Sequence, residues 1–170
     1  MTNNRERALP EGYAITDARW RDLTKDQQQT VLQILKNGGA VSVSSAKKAL
    51  PNATALVLLR HHGAIVGIGT IKPERVGYAK DKQAPEKAGY AFDPKMLELG
   101  YVVVHNDHRN KKLSGDIVTA LLTRYDGPLF ATTDAPNMKH TLRNRDFVQR
   151  GQEWKGKRGT LSLWLLDGKT

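Results

Sequence analysis

Residues 97–125 constrain the fold most, because three short stretches of different character follow one another there: LELGYVVVH, NDHRNKK and LSGDIVTALLTRY. The first, at 97–105, carries three successive Val after a Tyr and reads as a strand. The third, from 113 to about 125, sets Ile117, Val118, Leu121 and Leu122 on one face of a helix. The polar turn at 106–112 joins them directly. A strand that passes so quickly into an amphipathic helix needs a sheet with helices packed on it.

The flanking sequence supplies the rest of that sheet. A short strand candidate at 12–16 precedes a helical region that Asp17 is placed to cap, with Trp20, Leu23, Val31, Leu32, Ile34 and Leu35 apolar and Asn37, Gly38 and Gly39 as the stop. Two β-rich runs, TALVLLR at 54–60 and AIVGIGTI at 64–71, flank His61, His62 and Gly63, a hairpin signal. Residues 74–95 are polar and Lys-rich, and we read them as a long loop inserted before the central strand. Downstream come LFATT at 129–133, a helix near Pro136 with Met138, Leu142 and Phe147 toward the core, and a closing strand pair at 147–154 and 160–166. The expected class is α/β (α+β), one domain over 1–170 with a mixed, mostly antiparallel sheet flanked by helices.

Composition narrows the function. The chain has no Cys, which excludes a disulfide framework, a thiolate metal site and a cysteine nucleophile. Five His are scattered without metal-ligand spacing, so no metal is expected. The N-terminus lacks an apolar leader core and no segment is long enough to span a bilayer, so a cytoplasmic protein without membrane contact is expected. Lys and Arg outnumber Asp and Glu by 27 to 17, a net charge of +10 that favours anionic partners. Trp20, Trp154 and Trp164 lack the interleaved basic pattern of a single-strand binder and read as packing residues. A homodimer is compatible with the sequence.

The turn at 106–112 concentrates that charge. A helix N-terminus presents free backbone N–H groups and the positive end of its dipole, so it receives anions readily. Arg109, Lys111 and Lys112 add to the same field, and an Arg grips a phosphate with two parallel hydrogen bonds. A diphosphate is the natural guest.

On these residues the chain resembles the GNAT superfamily of N-acetyltransferases. Their signature is a Val/Ile-rich strand and a turn of the form Arg-x-x-Gly-x-Gly/Ala opening a long helix. Arg109, Lys112 and Ser114 occupy the three marked positions, with both glycines replaced, and Asp146 replaces the Gly of the family's Gly-Phe pair before Phe147. The resemblance covers most of the chain. It implies a splayed strand pair at an acetyl-CoA site and direct acetyl transfer to an amine acceptor, and the net charge of +10 suits an amine on an acidic or nucleic-acid carrier. It further implies that Val102, Val103 and Val104 flank the pantetheine arm, with the backbone N–H of Val103 or Val104 polarising the thioester carbonyl. Arg109, Asn110, Lys111, Lys112, Leu113, Ser114 and Gly115 would then cradle the pyrophosphate.

Acyl transfer also needs a base and an acid. Strand alternation puts Glu98 on one face with Gly100, Val102 and Val104, which makes it the base candidate; an exposed Glu at a strand end is the plain alternative. The family's Tyr acid position holds Leu142, so the acid falls to Tyr101, with Tyr90, Tyr78 and His105 as alternatives. Tyr90 and Asp134 are candidates on the acceptor side, Asp134 alternatively as a helix cap. A different class of function fits the same composition: a non-catalytic module whose basic surface binds nucleic acid or another acidic partner.

Overall fold

The computed structural model describes residues 7–39, 42–73, 87–93, 95–156 and 158–168. Most of the expected insertion at 74–95, including Tyr78, lies outside the described residues. Seven strands in the order β1-β2-β3-β4-β5-β7-β6 form a mostly antiparallel sheet, flanked by four α-helices among the described residues. Contacts divide the chain into two compact units, Arg5–Lys72 with Gly100–Tyr125 and Pro73–Leu99 with Asp126–Thr170.

The first unit holds β1 (Tyr13–Asp17), β2 (Ala55–His61), β3 (Ala64–Lys72) and the second half of β4 (Leu97–Val104), with helices α1 (Lys25–Gly38), α2 (Val43–Ala49) and α3 (Leu113–Leu122). The hairpin at His62 and Gly63 forms as expected. Both residues have positive φ, 48° and 86°, the mirror-image turn whose twist suits two paired strands. Leu56 to Leu59 are all buried because β2 is covered on both faces. On one side Leu56 and Leu58 join Trp20, Val31, Leu35 and Ile68 beneath α1 and α2. On the other, Val57 and Gly69 meet Ile117 and Leu121 of α3.

Two local expectations fail here. Asp17 caps no helix; it ends β1 and accepts hydrogen bonds from Arg124. The cap of α1 is Thr24, whose hydroxyl accepts from the Gln27 backbone N–H while the Gln27 side chain accepts from that of Thr24. The second helix, α2, carries no strong apolar period and was not legible; Ser42 caps it by accepting from the Ser45 N–H.

The second unit contains the start of β4, then β5 (Leu129–Thr133), α4 (Pro136–Arg143), β6 (Val148–Lys155) and β7 (Thr160–Leu166). β4 begins parallel to β5, with Glu98 opposite Phe130, and β5, β7 and β6 follow antiparallel. Phe130 and Leu163 centre a small core with Ala88, Phe92 and Trp154. Pro136 opens α4 as expected, and Asp146 takes φ of 67° where a glycine would be relaxed, which turns Phe147 into the core.

Candidate functional site

The end of β4, the turn after it and the start of α3 form a continuous cationic cradle within the first unit. Arg109, Asn110, Lys111 and Lys112 are all exposed, whereas Leu113 and Gly115 are buried and Ser114 is half-buried. Asn110 and Lys112 have φ of 66° and 61°, the left-handed region that glycine enters freely. Lys112 is thus the N-cap of α3 in a glycine's conformation, and no side chain caps the helix. Its first-turn N–H groups keep their donors for a guest. Arg109 is anchored through Nε, which donates to the Val104 carbonyl at 3.3 Å, and its Nη groups have no protein partner among the described residues.

The turn is braced from a distance. Arg7 donates from Nε and Nη2 to the two carboxylate oxygens of Asp116, at 2.8 and 2.7 Å, and from Nη2 to the Lys111 carbonyl at 2.7 Å. A carboxylate in the first turn of α3 satisfies the helix dipole but competes with an incoming anion. The guanidinium offsets that charge and ties the turn down, and the pairing raises the Arg7 pKa further. Nothing in the local sequence marks this contact, since 109 positions separate Arg7 from Asp116.

A second gathering was also invisible in the sequence. His61 and His62 at the hairpin tip, Tyr13 of β1 and His108 of the turn stack in one cluster, with His61 and His108 ring centres 4.9 Å apart and the Tyr13 hydroxyl 2.6 Å from His108 Nδ1. Lost solvation, then the charges of His62, His108 and Lys111, hold His61 below the ordinary imidazole range. A groove of about 640 Å³ runs beside it, between Gln29, Gln33 and Asn37 of α1 and the rings of His105 and His108. Among the described residues no group of three or more His, Asp or Glu is placed to hold a metal ion.

β4 itself departs from simple alternation. Tyr101 lies in the left-handed region with φ of 54°, and the burial pattern along the strand, with Leu99 and Val104 inside, has an odd spacing. A left-handed residue in a strand is the mark of a bulge, which adds one residue to the pleat. Tyr101 therefore interrupts, between Glu98 and Val102, the alternation that the sequence led us to expect. Tyr101 packs against the cluster beneath α1 and α2, and the Lys72 ammonium lies 4.8 Å from its ring centre. Val102 and Val103 are half-buried and Val104 is buried.

The remaining candidates belong to the second unit. Glu98 is half-buried at the start of β4. Tyr90 packs on the small core and lies under the Arg150 guanidinium, 5.9 Å from its ring centre. Asp134 is not a helix cap: Ala135 is the N-cap of α4, without a side-chain bond, and Asp134 pairs with Arg158 at 3.5 Å. No described helix is long and apolar enough to cross a membrane.

No protein-family model and no curated protein matches the sequence. Solved structures do match. ElaA of Escherichia coli superposes with a TM-score of 0.63 at 13% identity, over 89% of this chain and 98% of that one. An acyl-CoA N-acyltransferase from Pseudomonas aeruginosa gives 0.64 at 14%, over 90% and 98%. A GNAT family acetyltransferase from Elizabethkingia anophelis, with acetyl-CoA bound, gives 0.61 at 10%, over 93% and 99%. A central strand with a left-handed residue, a glycine-like turn and a helix that opens uncapped are thus set in an architecture shared with these structures along nearly its whole length, and the fold of this chain is the GNAT fold.

Proposed function

We propose that the chain is an N-acetyltransferase, acting as one domain, that moves the acetyl group of acetyl-CoA directly to a primary amine. The observation that carries this reading is the turn into α3, where Asn110 and Lys112 adopt the glycine conformation beside uncapped N–H groups and three cationic side chains. The pyrophosphate lies on the N–H groups of 113–115 and accepts hydrogen bonds from Arg109, with Lys111 and Lys112 as flanking charges. The pantetheine arm follows Val102 to Val104. The N–H of Val103 or Val104 donates to the thioester oxygen as negative charge builds on it.

Glu98 takes a proton from the attacking amine, the C–N bond forms as the C–S bond breaks, and Tyr101 returns a proton to the departing thiolate. Tyr90 and Asp134 contact the acceptor. Calorimetry with acetyl-CoA and a thiol-release assay over amines, peptides and nucleic acids test this. Arg109→Ala is expected to weaken acetyl-CoA binding about tenfold, the worth of one charge-assisted phosphate contact. An unchanged Kd removes Arg109 from the site, and no saturable binding by the wild type removes the enzyme reading.

One observation favours the alternative of a nucleic-acid module. A groove of about 980 Å³ near the end of β1 is lined by Arg19, Arg21, Arg60 and Arg124 against Asp17 and Asp22, with Asp17 already paired to Arg124. Binding of duplex or single-stranded oligonucleotide that falls steeply with salt, without acetyl-CoA binding, would select that reading.

A further inference from the structure

Three imidazoles and a phenol gather within the first unit, where the tip of the hairpin between β2 and β3 meets the turn after β4. Ring centres are 4.4 Å apart for Tyr13 and His61, 4.2 Å for His61 and His62, and 4.9 Å for His61 and His108. Gly12 makes the room: a Cβ there would stand 2.7 Å from His62 Cε1, and the Gly12 carbonyl accepts from the His62 N–H at 2.8 Å. Packing alone does not call for this set. Among the described residues no carboxylate pairs with His61, His62 or His108; the turn's own Asp107 lies 3.8 Å from His105 Nδ1 instead. Lys111 adds a further positive charge that acts on His61. Apolar rings would stack here without such like-charge repulsion.

The cluster also keeps ring nitrogens in reserve. His108 Nδ1 lies 2.6 Å from the Tyr13 hydroxyl. A phenol is a stronger acid than a neutral imidazole, so we assign the hydroxyl as the donor and place the His108 proton on Nε2. Among the described residues no protein group hydrogen-bonds to a ring nitrogen of His61 or His62. His61 and His108 are half-buried and His62 is exposed, so their N–H groups can reach a guest from solvent. His108 directly precedes Arg109, the first cation of the pyrophosphate turn.

We infer that His61, His62 and His108 form a second phosphate site beside that turn, and that its occupant is the 3′-phosphate of acetyl-CoA. The inference rests on the acetyl-transfer reading and adds to it which group of the cofactor the chain demands. A phosphate monoester carries about −1.5 to −2 charges at pH 7 and offers three strong acceptor oxygens. One ribose carries both the pyrophosphate and the 3′-phosphate, so two anions one sugar apart meet groups that are neighbours in the chain. The guest also reverses the balance at His61, where lost solvation and the charges of His62, His108 and Lys111 otherwise oppose a proton.

The test measures, by calorimetry, acetyl-CoA and 3′-dephospho-acetyl-CoA against wild type, Arg109→Ala and a double variant, His61→Phe with His108→Phe. Phenylalanine keeps a ring in each place and removes the N–H donors and the charge. Wild type is expected to bind acetyl-CoA about tenfold more tightly than the dephospho form, the worth of one hydrogen bond to a charged group. In the double variant that preference should fall to within about twofold, with the Kd for the dephospho form within about twofold of wild type. Arg109→Ala should weaken both donors alike. No preference in wild type, a preference retained in the double variant, or equal losses for both donors there would each overturn the inference. If wild type binds neither donor, the acetyl-transfer reading has failed and this inference with it.

Nuclear magnetic resonance of the wild type decides the point should the double variant not fold. The imidazole signals of His61 and His108 should shift with acetyl-CoA and with adenosine 3′,5′-bisphosphate, and much less with the dephospho donor. Equal shifts with both donors overturn the inference. Inorganic phosphate that shifts the rings at the same concentration as adenosine 3′,5′-bisphosphate makes the cluster a free-phosphate site and overturns the assignment to the cofactor.

Discussion

Gly69→Ala tests the contact that places α3, and with it the cationic turn. A Cβ at Gly69 would stand 2.2 Å from Ile117 Cγ2 and 2.9 Å from Leu121 Cδ1. Carbon atoms rest about 3.5–4.0 Å apart, so the first contact is short by roughly 1.3 Å or more. Neither neighbour has room, as Ile117 and Leu121 are fully buried, and Gly69 is held in register with Val57 in mid-strand. Overpacking of this kind costs about 1–3 kcal/mol, and the severity of the overlap puts this site at the upper end. Ala restricts the unfolded chain and returns about 0.4–1 kcal/mol. The net loss is about 2 kcal/mol, or about 4–8 °C in Tm for a chain of this size.

Thermal unfolding by circular dichroism measures it, and the partner variant makes the mechanism explicit. Ile117→Ala deletes the clashing methyl and alone should cost about 2–5 kcal/mol. The double variant should be more stable than the sum of the two by at least about 1 kcal/mol, since each relieves the other. Because the strained contact pushes on α3, acetyl-CoA affinity should also fall in Gly69→Ala and partly return in the double variant. A Tm within about 1 °C of wild type, or strictly additive losses, would refute the packing argument.

Three further outcomes follow from the same geometry. Arg7→Ala should destabilise the chain by about 1 kcal/mol, a modest loss because Arg7 is 44% exposed, and should weaken acetyl-CoA binding by leaving the Asp116 charge uncompensated beside the phosphates; denaturant melts and calorimetry read the two effects. Lys112→Gly should be more stable than Lys112→Ala by about 1 kcal/mol, since only glycine meets φ of 61° without strain; equal melts would contradict the turn.

The depressed His61 pKa makes the folded chain prefer neutral imidazole. Its contribution to stability is present above the unfolded-state value and is lost as pH falls through the lowered folded one. A bound polyanion favours the protonated ring instead, so acetyl-CoA should bind more tightly as pH falls from about 8 to about 6, and His61→Gln should flatten that trend. A wild-type Kd independent of pH over this range would count against a link between the cluster and the site.

Local chemistry made much of this protein readable. The apolar period of α3, the β-rich runs on either side of His62-Gly63, Pro136 at a helix start and the cations of 109–112 are each decided within a few residues, because secondary structure and charge density are short-range properties. Segments whose fate depends on partners elsewhere were misread. Asp17 looks like a cap until Arg124 takes its carboxylate, and Asp134 until Arg158 does. Alternation along β4 is interrupted where Tyr101 takes the left-handed conformation, a state that packed surroundings and not the residue itself impose.

The cationic, helix-opening turn was determined by the sequence alone, because its charges and its helix lie side by side in the chain. Its working shape was decided only in three dimensions. Lys112 and Asn110 adopt the glycine conformation, Arg7 and Asp116 close across 109 positions, and four histidines' neighbourhood is drawn together by a hairpin tip and a turn. A backbone state disfavoured by the residue itself, and a contact between distant residues, both depend on the packed surroundings, and those exist only once the chain has folded.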